Sequence, residues 1–426
     1  KDLPPEFPRG KDTQTAPRTF GLEGAFESTS AMMIFKAPEF DQPTTYALDI
    51  LMQVLGQGES SRLTKRLRDE LGLVSSIGAS NYSLIDASAL YITYELIDPA
   101  KATEATDAIL EVMARMRREG PTPEELARAK RQAAIGRVFE QETVLGQARS
   151  IGYTATSVDL TTWEQYLDRI FGVTAQDVQW AAQQYLHSAN ATLGIIGPEG
   201  TEAINPDWSK LDIQFTKLIE PTDMGRRGQN PLAATAAGAV DGDEEEELYT
   251  LANGLQVYLN PSHANATVGI SMGIKGGLVW EAWDTAGVAN MAMESLAKGT
   301  TTRSADEIAR IQDELGTFIA SDATRDYLVL NTLVLASDAQ MGLDLLADLA
   351  QNPTFPDEEV AKVREQVLQG LKAEQDDQTV STLNQLRYAM YGPDHPYGRP
   401  YNGRESVVAR LSADDLRAFH RRAMHP

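Results

Sequence analysis

The alternation of apolar and polar residues divides this chain into strands and helices in a recurring order. "ALYITYELI" (89–97), "TVGISMGI" (267–274) and "YLVLNTLVL" (327–335) alternate or run apolar over the length of a strand, and "ATLGIIGP" (191–198) is an apolar run of the same size. Between them lie helical stretches with local start signals. Thr122, Pro123 and Glu125 supply an N-cap, a first-turn proline and a capping-box acid. Ser304 with Glu307 forms the same box, and Gly316 is the stop after Ile308, Ile311 and Leu315. Thr174 with Asp177, and Ser412 with Asp415, follow the acid variant. Strands followed by long helices, without regular βαβ alternation, predict an α+β fold: mostly antiparallel sheets packed with helices.

The pattern occurs twice. "PTPEELARAKRQAAIGRVFEQE" from Pro121 resembles "PTFPDEEVAKVREQVLQGLKAEQD" from Pro353, and "VTAQDVQWAAQQYLH" ending at His187 resembles "LSADDLRAFHRRAMH" ending at His425. Two long motifs in one order at nearly one offset predict a duplicated module, the period being far too long for a solenoid. The first copy continues from His187 into "ATLGIIGP"; the second reaches Pro426 where that strand is due, so its last strand is expected to be missing, which leaves a sheet edge to be covered. The expected division is a linker over 1–18, a first module over 19–214, a flexible acidic linker over 215–247 and a second module over 248–426. The linker assignment rests on small residues, Pro and Gly, and on the acidic run from Asp241 to Glu247, which cannot offset their ordering entropy by burial. A calcium loop would need spaced ligands around a fixed glycine turn, and these are lacking.

Composition narrows the function classes. The chain has 426 residues, a net charge of −23 and no cysteine. Disulfides, thiolate metal sites and thiol nucleophiles are excluded. Such an acidic field disfavours nucleic acid and anionic lipid as partners. No apolar run approaches the ~18 residues that a membrane-spanning helix needs, so membrane insertion is not expected. The N-terminal "KDLPPEFPRGKDTQTAPRTF" has no apolar core and reads as a linker, not as a signal peptide. "GQGESS" (56–61) lacks the third glycine of a dinucleotide loop and the Gly-Lys-Ser/Thr of a P-loop, and reads as a turn after a helix.

The second module carries an ordered set of motifs: "YTLANGLQVYLNPSH" (249–263), "IKGGLVWEAWDTAGVANMAMESLAKGT" (274–300), "IQDELGTFIASDATRDYLVL" (311–330) and "HPYGRPYNGRESV" (395–407). This set resembles the N-terminal type of module in the pitrilysin/insulinase family of zinc metallopeptidases. The first module, through "LMQVLGQGESSRLTKRLRDELGLVSS" (51–76), resembles that family's C-terminal, non-catalytic type. The resemblance implies a pitrilysin-type fold. Active members hold zinc with an inverted His-x-x-Glu-His helix, whose glutamate is general base, and with a distal glutamate. Aligned on that pattern, the first histidine position is Asn290, the glutamate position Met293 and the second histidine position Glu294, with Gln369 and Gly370 where distal acids are expected. The family's substrate-binding arginine and tyrosine, seven residues apart, fall on Arg68 and Ser75, so that pair is broken and Arg68 reads as a structural or surface residue.

The histidines give the same expectation. His187, His263, His395, His420 and His425 form neither His-x-x-Glu-His nor His-Glu-x-x-His, and helix-surface positions are expected for them. The chain therefore reads as lacking a zinc site and catalytic residues of its own. Long members of the family have four modules, and this chain matches the two middle ones. The resemblance then implies a fragment of a bacterial, periplasmic zinc metalloendopeptidase, forming chamber wall and hinge around an unfolded peptide. Zinc would belong to the missing catalytic module, and the partners would be the remaining modules or an active zinc subunit. The alternative is a stand-alone pseudo-peptidase acting as a structural or partner subunit.

Overall fold

The computed structural model describes residues 14–40, 42–83, 88–140, 146–150, 152, 160–215, 218–229, 247–261, 266–393 and 395–424. Its first half runs β1 (Arg18–Glu23), β2 (Thr29–Ala37), α1 (Thr44–Gly56), a π-helical segment (Thr64–Glu70), β3 (Val74–Tyr82) and β4 (Ser88–Leu96). It continues as α2 (Ala102–Glu119), α3 (Pro123–Glu140), α4 (Leu160–Gly172), α5 (Ala175–Tyr185) and β5 (Ala191–Gly197). The second half runs β6 (Glu247–Thr250), β7 (Gln256–Leu259), β8 (Thr267–Lys275), α6 (Val288–Ser295), α7 (Ala305–Leu315), β9 (Ala320–Ala323) and β10 (Tyr327–Leu335). Helices α8 (Ala339–Gln351), α9 (Asp357–Asp376), α10 (Gln378–Tyr391) and α11 (Ala413–Ala423) complete it.

The period-2 pattern places the core. Along β2, Thr29, Ala31, Met33 and Phe35 are buried; along β4, Leu90, Ile92, Tyr94 and Leu96 are. These side chains meet Leu48, Leu51 and Leu55 of α1 and Ile109 and Met113 of α2 in one apolar core. The sheet has the order β1-β5-β2-β4-β3, antiparallel except for the β1–β5 pair. The second half has its own core, built from Met291, Met293 and Leu296 around α6, Leu328, Leu330 and Val334 of β10, and Leu345 and Leu349 of α8. Its sheet is β8-β10-β9, with β6 and β7 paired apart as a hairpin. The strand–helix–strand–strand–helix order is shared, so the α+β fold of two similar halves is the observed one.

The helix signals read from the sequence form as hydrogen bonds. Thr174, Ser304 and Ser412 each accept from the backbone N–H three residues on, and Asp177, Glu307 and Asp415 accept back from the N-cap N–H. Gly316 closes α7 in the left-handed region at φ 64°. The segment 57–60 is a turn between α1 and the π-helical segment.

One part of the expected linker is tied down. The Thr222 N–H and hydroxyl donate to the Asp177 carboxylate at 2.7 and 2.8 Å, Gly228 N–H donates to the Asp168 carbonyl at 2.7 Å, and Arg226 reaches the Gly172 carbonyl at 3.0 Å. Composition predicted mobility here. The buried Asp177 carboxylate, already part of a capping box, supplies an anchor 45 residues away that composition does not register. Of the two expected linkers, residues 1–13, 216–217 and 230–246 lie outside the described residues, as do His263 and His425.

Candidate functional site

The positions that the resemblance assigns to a metal come together on two packed helices. Asn290, Met293 and Glu294 lie on α6, and Gln369 and Gly370 lie on α9, which packs against it. The N-terminal end of α6 is fixed by Glu281, a buried residue whose Oε1 accepts from the N–H groups of Gly287 at 3.1 Å and Ala289 at 2.8 Å. Burial pushes the Glu281 carboxyl up to about 7, against the pull of those N–H groups and of Arg399. Met293 is buried in the core, Asn290 is half-buried and Glu294 is exposed. Partial desolvation beside the protein wall raises the Glu294 carboxyl; Lys298 offsets this, and Asp322 and Glu59 add to it.

Zinc takes imidazole, thiolate or carboxylate in a tetrahedral cluster. Here the donors are two neutral amides, a buried thioether and one acid, a set that does not fit the ion. Gln369 is itself engaged elsewhere: its Nε2 donates to the Ile97 carbonyl of the first half at 2.6 Å. Among the described residues no group of three His, Asp or Glu side chains converges on a point.

Arg68 sits on the π-helical segment with little of its side chain exposed. It donates to Glu59 Oε2 and Asp69 Oδ1, both at 2.7 Å. Burial opposes the guanidinium charge, but Asp69 and Glu59 outweigh it and raise the group above its ordinary range. Burial likewise opposes Glu59, yet Arg68, with help from Lys298, holds that carboxyl below the usual range. Ser75 lies on β3, beside a bulge, with its hydroxyl toward the Glu95 carbonyl at 3.5 Å. Arg68 and Ser75 therefore face different surroundings, and the arginine acts as the hub of a local ion-pair network. The histidines differ from the helix-surface expectation. Only His420 lies in a described helix, half-buried against Phe355 with a bond to the Ala350 carbonyl, whereas His187 and His395 precede short 3₁₀ turns.

Arg68, Glu59 and Lys65 of the first half face Lys298, Thr300 and Lys362 of the second across a charged cleft of about 1020 Å³. A seam holds the cleft together. The Asp313 carboxylate on α7 accepts from Ser60 N–H at 2.8 Å, Glu59 N–H at 3.1 Å and the Ser60 hydroxyl. Arg131 on α3 donates to the Glu314 carbonyl at 2.7 Å and to Asp338 at 2.5 Å. Sequence reading missed Glu59, Asp313 and Glu281, and the contact that Gln369 makes with Ile97. Their partners are distant in sequence or lack a regular spacing, so no local signal marks them.

Comparison with known proteins agrees with this architecture. A sequence profile described as the peptidase M16 inactive domain matches residues 2–133, and one described as insulinase (peptidase family M16) matches residues 256–402. An uncharacterized zinc protease of Mycobacterium tuberculosis, Rv2782c, is 31% identical over 179 residues, 42% of this chain and 40% of the relative. An uncharacterized zinc protease of Bacillus subtilis, YmxG, is 30% identical over 173 residues, 40% of this chain and 42% of the relative. The match to these curated relatives thus spans only about two fifths of their length. The structure of a mutant of the ferredoxin protease FusC, in complex with Arabidopsis ferredoxin, superposes over 100% of this chain and 50% of its own, with 13% identity and a TM-score of 0.51. Among the described residues no helix is long and apolar enough to cross a membrane. The two profiles fall on the two halves in order and together span about two thirds of the chain, and the chain belongs to the pitrilysin/insulinase family of zinc metallopeptidases.

Proposed function

We propose that this chain forms the non-catalytic wall and hinge of a bacterial zinc metalloendopeptidase that degrades unfolded peptides, with zinc carried by a separate catalytic module. The observation that carries this reading is the use made of the metal-helix pair. By the resemblance, Asn290, Met293 and Glu294 take the ligand and base positions and Gln369 that of a distal acid, and Gln369 donates instead to the Ile97 carbonyl of the first half. Arg68 is committed to Glu59 and Asp69, so it is not free to grip a peptide backbone. What remains is enclosure. A closed chamber raises the effective concentration of a peptide beside a catalytic group supplied by another module, and hinge opening gates entry and release. A periplasmic address belongs to this reading; the absence of cysteine and the family resemblance support it.

The test is metal analysis together with a quenched-peptide assay on this chain. The expected outcome is no stoichiometric zinc and no chelator-sensitive hydrolysis; stoichiometric zinc with such hydrolysis overturns the reading. The coding sequence ahead of Lys1 separates this proposal from a stand-alone pseudo-peptidase subunit. An in-frame His-x-x-Glu-His module there supports the first, and a native start near Lys1 supports the second.

A further inference from the structure

The contact at the Ser60 turn is one-sided. Every hydrogen-bond donor in it comes from the first half, and the second half supplies only a carboxylate. The Glu59 N–H reaches Asp313 Oδ1 at 3.1 Å and the Ser60 N–H reaches Oδ2 at 2.8 Å, so each oxygen has its own amide. The Ser60 hydroxyl also donates to Oδ2, and the Arg128 guanidinium of α3 stands 4.0 Å from it. Successive N–H groups turned to one point make an anion-binding concavity, and a cation beside them strengthens it.

Gly58 gives this concavity its fit. Its backbone is left-handed, at φ 88°, and a Cβ there would stand 2.5 Å from Asp313 Oδ1 and 3.0 Å from Gln132 Nε2. The space that the missing Cβ leaves is the seat of one carboxylate oxygen. The turn is closed by Ser61 N–H donating to the Gly58 carbonyl at 3.3 Å, and Gln132 is held by Gln53 Nε2 at 2.9 Å. Neither bond involves the second half, so the concavity is built by the first half alone. The acid within the turn, Glu59, is taken up by Arg68.

We propose that the turn Gly58–Ser60, with Arg128, is a carboxylate-binding site whose internal occupant is Asp313, and that a carboxylate on an outside polypeptide competes with Asp313 and loosens the docking of the halves. Asp313 is held weakly enough to be displaced, because burial costs its carboxylate more than Ser60 and Arg128 return. An outside carboxylate bound to the parted halves keeps water on its far side and escapes that cost. A ligand that binds only the parted state shifts the equilibrium toward it. The inference needs two halves that can separate and is independent of whether any zinc module accompanies the chain.

Hydrogen–deuterium exchange and small-angle scattering on the whole chain test it. The probe is the peptide acetyl-Ala-Asp-Ala-amide, with its Asn analogue as control and acetate as the bare carboxylate, all at one ionic strength and pH. In Asp313→Ala, the Glu59 and Ser60 amides exchange about tenfold or more faster than in the native chain. The Asp peptide restores their protection and the Asn peptide does not. Restoration by acetate as well assigns recognition to the carboxylate alone; restoration by the peptide only assigns it to a polypeptide. Adding Gly58→Ala, which fills the oxygen's seat, abolishes the restoration. In the native chain, peptide at concentrations that saturate Asp313→Ala raises the radius of gyration, an arm that needs no variant to fold if the peptide is simply taken to its solubility limit. Three results overturn the proposal: equal protection from the Asn peptide, no restoration by either carboxylate, or a radius of gyration in the native chain that the Asp peptide does not raise.

Discussion

Glu281 holds the start of α6 through two backbone N–H groups while itself sitting out of water. Its folded-state carboxyl, pushed up to about 7 by burial, binds a proton more tightly than in the unfolded chain. The resulting stability is complete below the ordinary glutamate range and is lost as the pH rises toward about 7. Glu281→Gln is expected to flatten the fall in denaturant midpoint over that window, and a midpoint that falls as steeply in the variant contradicts the assignment. Glu281→Ala, which strands both N–H groups, should cost about 1–3 kcal/mol in urea unfolding. Of this neighbourhood the sequence made α6 legible, because its motif is contiguous. Glu281 was not legible, because an acid six and eight residues ahead of the groups it caps follows no helical or strand period.

At the scale of elements, the local signals were the readable ones. The three boxes at Thr174, Ser304 and Ser412 needed only a three-residue spacing, and β10 was bounded to the residue by its apolar pattern. The ends of α7 show where locality stops. Gly316 was readable as a C-cap, yet it also presses on Ile135 of α3, where a Cβ would stand 2.5 Å from the Ile135 Cδ1 atom. Gly316→Ala therefore carries two penalties, a left-handed backbone worth about 1–2 kcal/mol and a displaced Ile135. Thermal melting should show a larger loss than for Gly72→Ala, a glycine of similar φ, 60°, where an added Cβ would meet nothing within 4 Å. Equal losses would remove Ile135 from the account.

For the molecule as a whole, the seam between the halves decides the shape, and it joins residues as far apart as Ile97 and Gln369. No pattern of hydrophobicity or spacing reports a contact of that kind, which is why the duplicated halves were legible and their docking was not. Asp313→Ala removes three hydrogen bonds to the turn at Ser60, and Gln369→Glu turns a donor toward Ile97 into a lone pair facing a carbonyl. Each is expected to leave far-UV circular dichroism unchanged and to raise the radius of gyration in small-angle scattering. An unaltered scattering profile in both variants would show that the seam does not hold the halves together.

Asp313 also ties that seam to acidity. Its carboxyl is raised by burial against the first half, more than Ser60 and Arg128 lower it. Bringing the halves together therefore takes up protons from solution. The stability this gives the docked seam is complete below the ordinary aspartate range and is lost as the pH rises through the raised value, so acidification favours docking without any ligand.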